Sequence, residues 1–311
     1  MIQIEEIEKK IDALDAEIAA IGQPVTPADT LALKQARRNR KELLNLCASP
    51  SAADRVWLAR HPGRPGVVDY VDALFTNFFE QRGDRLFRED PAIYGGVALY
   101  KDEPVTVIGT RKGRDLDENL KCHFGMPCPE GYRKALRLMK AAEKFKRPII
   151  TFIDTPGAYP GMEAEAGGQG RAIAENLAVM SRLEVPVIAV FTGEGGSGGA
   201  LALGVANRVI MLENAVYSIL SPEGFASILW KDASRSAEAC EVMKLTADDL
   251  MALEVADAVL PEPLGGAHRN PRAVYDELDL LLSQELKSLS RLSGTELAAR
   301  RYRKFRSFGR G

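Results

Sequence analysis

Val185-Pro-Val-Ile-Ala-Val-Phe191 runs straight into Thr192-Gly193-Glu194-Gly195-Gly196-Ser197-Gly198-Gly199-Ala200. An apolar run of strand length stops abruptly, five glycines fall within seven residues, and a small-residue run of helical character, Ala200-Leu-Ala-Leu-Gly-Val-Ala206, begins. Glycine lets another molecule approach the main chain closely. The first N–H groups of a helix lack internal partners and sit at the positive end of its dipole. The turn therefore offers backbone donors to something negative, and three chemistries share its pattern.

The first is dinucleotide binding. Gly193, Gly195 and Gly198 spell G-x-G-x-x-G, and Glu213 ends the next apolar run twenty residues after Gly193. Only fifteen positions separate Gly198 from Glu213, too few for both a full helix and a returning strand. The second is a serine hydrolase: Gly195, Ser197 and Gly199 match the nucleophile elbow G-x-S-x-G. A serine nucleophile needs a base. The chain offers His61 in a Pro/Gly-rich linker, His123 in a second loop, and His268 beyond Pro261–Gly266. A phosphate P-loop is excluded, because no Lys-Ser or Lys-Thr follows the glycines.

The third reading is an oxyanion hole, where helix-start amides stabilise a developing negative oxygen without a side-chain nucleophile. A second turn of the same kind supports it. Pro148-Ile-Ile-Thr-Phe-Ile153 reads as a buried strand ending in Asp154-Thr-Pro-Gly157-Ala158-Tyr159-Pro-Gly161. In a parallel sheet both strand ends open on one edge, where ligands bind. Two such turns can aim amides at one atom.

The surrounding pattern is α/β. Tyr94–Tyr100 and Val105–Thr110 read as a hairpin about Lys101–Pro104. A helix over Pro129–Lys146 precedes the strand at Ile149, and a helix over Gln169–Ser181 precedes the strand at Val187. A strand at Arg208–Glu213, helices opening at Ser221 and at Thr246 (a capping-box pattern), and a long helix after Pro271 follow. Upstream, Ile4, Ile7, Ile11, Leu14, Ile18 and Ile21 form a heptad seam. A break at Gly22–Pro27 and a second helix to Cys47, capped by Thr26 or Asp29, complete a helical hairpin that packs on its own domain or grips a partner. Val67–Gln81 reads as helix. The expected organisation is a hairpin and linker helix over 1–60, a main domain over 61–290 and a basic helix over 291–311.

With 41 basic and 43 acidic residues and a net charge of −2, the composition argues against a nucleic-acid-binding body. The basic, aromatic Arg300–Arg306 reads instead as the end of a helix framed by Thr295 and Gly309, its charge suiting the dipole. No apolar run is long enough to span a bilayer, and Met1–Glu6 lacks the character of a signal peptide. Four scattered cysteines form no disulfide framework, so a cytoplasmic location is expected. Cys122-His123 with Cys128 fits no usual zinc spacing, and no metal is expected. Val242-Met-Lys244 imitates a biotin-attachment site only superficially. Arg111 and Lys112, with Arg114 and Lys121, form a basic loop suited to phosphates or simply to solvent.

Six motifs then carry a resemblance: Phe124-Gly-Met-Pro127, Pro129–Leu136, Thr151–Gly161, Gly193–Leu201, Tyr217–Gly224 and Pro261–Pro271. Their order and spacing resemble the carboxyltransferase alpha subunit of bacterial acetyl-CoA carboxylase, up to about Arg303. Local departures are Cys122-His123, Cys128 and Gly167, the last standing where an arginine is often found. The resemblance implies a ClpP/crotonase-like spiral of ββα units. It implies carboxyl transfer from carboxybiotin, held on a separate biotin carrier protein, to acetyl-CoA, giving malonyl-CoA for fatty acid biosynthesis. Its implied partners are a zinc-ribbon beta subunit in a heterotetramer, the biotin carboxyl carrier protein and biotin carboxylase. Gly198, Gly199, Gly157 and Ala158 are then expected at the oxyanion, Gly195, Gly196, Tyr159 and Gly161 against carboxybiotin, and Arg111 and Lys112 near coenzyme A phosphates. A hydrolase using Ser197, or a non-catalytic scaffold of the same fold, stands as the alternative.

Overall fold

A computed structural model describes residues 3–309; Met1, Ile2, Arg310 and Gly311 of the terminal readings lie outside them. The heptad seam forms α1 (Gln3–Ile21), which packs on α2 (Pro27–Leu46). Thr26 caps α2 in a reciprocal capping box with Asp29, and Pro27 takes the first turn, where a missing N–H costs nothing. Ile4 and Ile11 are buried against Cys47 and against Leu58 of α3 (Ala52–Ala59). This part of the seam faces the chain's own body.

The helix expected over Val67–Gln81 is a correction. α4 (Val67–Leu74) stops at Phe75, whose φ/ψ of −124°/156° are extended, and Thr76–Glu80 forms β1. Pairing with β2 (Ile93–Tyr100) overrides the helical pattern, because Thr76-Asn-Phe-Phe79 finds an antiparallel partner at the sheet edge. β2 and β3 (Glu103–Thr110) form the expected hairpin, tighter than the sequence suggests. Lys101 and Asp102 both have positive φ (49° and 67°), the backbone of a two-residue turn whose twist matches its strands.

Strands and crossovers then alternate: α5 (Leu116–Lys121), α6 (Pro129–Lys144), β4 (Ile149–Thr155), α7 (Met162–Ala166), α8 (Gln169–Met180) and β5 (Val187–Gly196). After them come α9 (Ser197–Gly204), β6 (Arg208–Leu212), β7 (Val216–Ser218), α10 (Pro222–Trp230), α11 (Ser236–Met243), α12 (Ala247–Ala252), β8 (Ala258–Leu260), α13 (Pro271–Leu289) and α14 (Gly294–Ser307). The sheet runs β1-β2-β3-β4-β5-β6-β8, antiparallel as far as β3 and parallel beyond it, with β7 pairing the far end of β5. All seven residues of β4 are buried. Such two-sided burial explains why these strands read as unbroken apolar runs rather than as alternation. Each fully buried Val, Ile or Leu contributes about 1.5–3 kcal/mol of transfer free energy.

The C-terminal helices close the core. α13 buries Val274, Leu278, Leu282 and Leu286, one residue every helical turn. α14 begins at Gly294 behind a Ser293 cap, not at Thr295. Its Arg301 is 1% exposed and donates to the carbonyls of Met180, Leu183 and Val185 and to Asn207 Oδ1. The basic segment is therefore partly a buried clamp that satisfies carbonyls where α8 ends. No helix among the described residues is long and apolar enough to cross a membrane.

Candidate active site at the strand ends

The decisive glycines do not turn where the sequence suggests. β5 runs on through Gly193, Glu194, Gly195 and Gly196, and α9 starts at Ser197 rather than Ala200. The extension is possible because β7 pairs Glu194–Gly196 and β4 places Thr155 beside Gly195. Glycine is required there by contact. A Cβ on Gly196 would stand 1.9 Å from the Pro156 carbonyl oxygen, and one on Gly199 would stand 2.5 Å from the Ala158 nitrogen. The two glycine segments are thus stacked ledges in direct contact.

Their amides are not equally free. Gly157 N–H donates to Thr155 Oγ1 at 3.1 Å, and Tyr159 N–H donates to Pro127 O at 3.0 Å. Ala158 N–H has no partner among the described residues. Gly198 and Gly199 occupy the first turn of α9, where N–H groups lack intrahelical acceptors. The amides left without a protein acceptor among the described residues are therefore Ala158, Gly198 and Gly199, while Gly157 supplies the φ of 150° that shapes its turn. Gly195 packs under Phe191 and Tyr217, Tyr159 lies over His123 with ring centroids 4.4 Å apart, and Gly161 precedes α7.

Ser197 is exposed with φ 49°, a left-handed conformation strained for serine. None of the three histidines hydrogen-bonds it among the described residues; His123 lies against Cys128, and His61 and His268 meet Glu8. The hydrolase reading lacks its base.

Beside the ledges, an ion chain crosses the strand ends. Lys112, just beyond β3, places Nζ 2.7 Å from Asp154 Oδ1 and 3.0 Å from Glu194 Oε2. Arg60 holds the other Glu194 oxygen at 2.6 Å and Glu223 of α10 at 2.7 Å. Asp154 Oδ1 also accepts Glu194 N–H, fixing the path of β5 into Gly195. Burial pushes the Glu194 carboxyl up, but Lys112 and Arg60 outweigh it and hold it below the usual carboxylate range. Burial likewise works against the Lys112 ammonium, and the two carboxylates overcome it, so the lysine stays charged. Nearby, buried Arg64 forms a bidentate pair with Glu262 at 3.0 and 2.5 Å and donates to Thr192 O, tying the Pro261–Ala267 segment to the sheet. Sequence reasoning missed Arg60, Arg64, Asp154, Glu194 and Glu262 as a group, since their partners lie 40 or more positions apart.

These charges border a cavity of about 500 Å³ lined by Arg60, Arg111, Lys112, Arg114, Phe124 and Pro156, among others. Lys112 is committed to its carboxylates. Arg111 is the freer cation, with one long contact to Glu118 at 3.4 Å.

One group among the described residues gathers metal-type ligands: Glu8, His61 and His268. Its hydrogen bonding favours protons over a cation. Gly63 N–H donates to His61 Nδ1, which leaves the ring proton on Nε2, facing Glu8 at 3.3 Å. His268 Nε2 lies 2.6 Å from the same carboxylate, the two rings stack at 3.9 Å, and Arg269 adds a further donor at 2.7 Å. The cluster clasps α1 to the body. Cys128 is buried, and burial pushes its thiol up to about 12.

The family described as acetyl co-enzyme A carboxylase carboxyltransferase-like matches residues 2–309. The acetyl-coenzyme A carboxylase carboxyl transferase subunit alpha of Geobacillus kaustophilus is 60% identical over 256 residues, covering 82% of this chain and 79% of that protein. Its counterpart in Geobacillus thermodenitrificans is 53% identical over 308 residues, 98% of this chain and 95% of that one. Among solved structures, the Pseudomonas malonate decarboxylase MdcD-MdcE hetero-dimer is similar at TM-score 0.55 and 21% identity, over 70% of this chain and 91% of that one. Transcarboxylase 12S is similar at TM-score 0.55 and 19% identity over 76% of this chain, which spans a little under half (45%) of that chain. These likenesses show the crotonase-like fold.

Proposed function

The chain belongs to the acetyl co-enzyme A carboxylase carboxyltransferase-like family, and we propose on that premise that it is the biotin-facing half of a carboxyltransferase making malonyl-CoA. The carboxyl donor is carboxybiotin on a separate carrier protein, and the acceptor is acetyl-CoA. In the reaction the N–CO₂ bond of carboxybiotin breaks, a C–C bond forms at the acetyl methyl carbon, and the methyl proton passes to the biotin nitrogen. Two oxygens carry transient negative charge, the ureido oxygen and the thioester enolate.

The observation that carries this reading is the contact between the ledges. The Ala158 amide and the α9 amides of Gly198 and Gly199 are donors without side-chain competitors, held rigid by packing that admits no Cβ at Gly196 or Gly199. One preorganised donor of this kind is worth about 3–4 kcal/mol to a developing oxyanion. We assign them to the ureido oxygen, with Gly195, Gly196, Tyr159 and Gly161 shaping the wall of that subsite. Arg111, together with Arg114 at the mouth of the cavity, suits a coenzyme A phosphate. Lys112 acts inward, neutralising Asp154 and Glu194 so that no unbalanced carboxylate opposes the new charge. The enolate falls to a beta-type partner carrying a second domain of this fold and the zinc ribbon, in a heterotetramer served by biotin carboxylase and the carrier protein in the cytoplasm.

The test is the reverse reaction. The chain assembled with its beta-type partner is supplied with malonyl-CoA and free biotin, and acetyl-CoA is measured. Biotin-dependent release of acetyl-CoA is expected; release that is absent, or indifferent to biotin, contradicts the assignment.

A further inference from the structure

Tyr132, on the first turn of α6, is 0% exposed, and its hydroxyl has no hydrogen-bond partner among the described residues. Burying a polar group unpaired costs about 1–3 kcal/mol, so phenylalanine would serve a purely packing role better. Burial raises the phenol well above its ordinary value, so at neutral pH it always carries its proton.

The position of the hydroxyl is specific. A Cβ built on Gly199 would stand 2.8 Å from Tyr132 Oη, 2.5 Å from Ala158 N and 2.6 Å from Gly157 C. The phenol oxygen therefore lies where the α9 ledge meets the Ala158 ledge, next to the amide that also lacks a partner. The rest of the side chain is locked: the ring packs against Ala172, Ala202 and Ala158. The start of α6 is pinned by Asp90, which accepts Cys128 N–H at 2.7 Å and sits where any Cβ on Gly131 would go.

We propose that Tyr132 is a positioning residue for carboxyl transfer, a polar post beneath the Gly199–Ala158 contact that sets the spacing and tilt of the oxyanion amides. It acts through the ledges, not on the reacting atoms, and the inference rests on the carboxyltransferase reading above. Its hydroxyl abuts the contact beside the Gly199 backbone and the Ala158 peptide. Without it that side of the contact loses its support and the two ledges shift relative to each other. Donor geometry tighter than an ångström matters here, because displacements of about 1 Å can cost about 100-fold in rate.

The test uses Tyr132→Phe in the assembled enzyme, with malonyl-CoA and biotin as substrates and unfolding of the isolated chain measured in parallel. Expected are a kcat lowered about tenfold, a KM for malonyl-CoA within twofold of wild type, and a Tm equal to or above wild type, since an unpaired polar group has been removed. A kcat equal to wild type overturns the inference, as does a fall in Tm that parallels the fall in kcat, which marks packing alone. Wild-type turnover in the same assay separates the two claims. Its absence removes the carboxyltransferase reading and this inference together, whereas its presence with an unaffected Tyr132→Phe removes only the role of the phenol.

Discussion

Gly196 and Pro156 touch so closely that a single added carbon on Gly196 would fall 1.9 Å from the Pro156 carbonyl oxygen. That relationship joins the end of β5 to the turn after β4 and makes one surface of two sequence motifs 40 positions apart. It also separates glycines needed by the fold from glycines left open. Gly196→Ala is expected to lower the unfolding free energy by about 3 kcal/mol through overpacking against rigid backbone. At Gly198 the nearest atom to an added Cβ is Ile173 Cγ2 at 3.8 Å, so Gly198→Ala is expected to leave stability unchanged or raise it by up to about 1 kcal/mol. Denaturant titration of both variants checks the contrast, and equal losses would contradict the packing account.

Ser197 sits at φ 49° without a histidine partner, which gives two outcomes. Ser197→Gly relieves the strain and is expected to raise stability by about 0.5–1 kcal/mol. Ser197→Ala is expected to keep transfer with the partner within about threefold. Covalent capture of Ser197 by a fluorophosphonate, with loss of turnover in Ser197→Ala, would restore the nucleophile.

Much of the fold was legible where burial is continuous. The runs at Ile149 and Val187 are apolar because both faces of the sheet are covered, and the caps at Thr26, Ser221 and Thr246 are local signals that the structure honours. β1 was not legible, because Thr76–Glu80 becomes strand only by pairing with a β2 that arrives 13 or more residues later. The two glycine segments were visible in sequence, but not which of their amides are already engaged: Thr155 Oγ1 takes the Gly157 amide, a fact only the folded turn reveals. The Lys112–Asp154–Glu194–Arg60 chain left no periodic trace, since each member comes from a different element.

That chain predicts a cost. Lys112→Met leaves Asp154 and Glu194 facing each other, with Arg60 holding only one of them. Removing one partner from such a largely buried set is expected to destabilise by about 3 kcal/mol. Chemical denaturation against wild type measures it, and an unchanged midpoint would show the pairs to be incidental.

The clasp on α1 predicts a dependence on pH. Burial lowers the His268 imidazole below its ordinary value near 6.5, opposed by its hydrogen bond to Glu8. Burial raises the Glu8 carboxyl, but hydrogen bonds from His268 and His61 override it and hold it far below the usual carboxylate range near 4.5. Arg269, bonded to both Glu8 and Asp12, adds positive charge on the same side. Both shifted groups bind fewer protons folded than unfolded, so stability rises with pH. The His268 contribution is lost as pH falls through about 6.5, and the Glu8 contribution is lost below about 4.5. Urea unfolding at pH 7.5, 6 and 5 is expected to show a steeper acid loss for Glu8→Gln than for wild type, because the substitution removes the carboxylate that favours the His268 imidazolium; parallel profiles would rule out the clasp as the source.

On the proposed reading, this chain carries half of a two-oxyanion site. One pair of glycine ledges serves one transient charge, and the reaction generates two. The direct measurement is transfer from malonyl-CoA to free biotin by the purified chain, titrated with its beta-type partner. The chain alone is expected to be inert, with activity rising in proportion to added partner until the two are equimolar. Robust transfer by the single chain, at a rate the partner does not raise, would contradict the account.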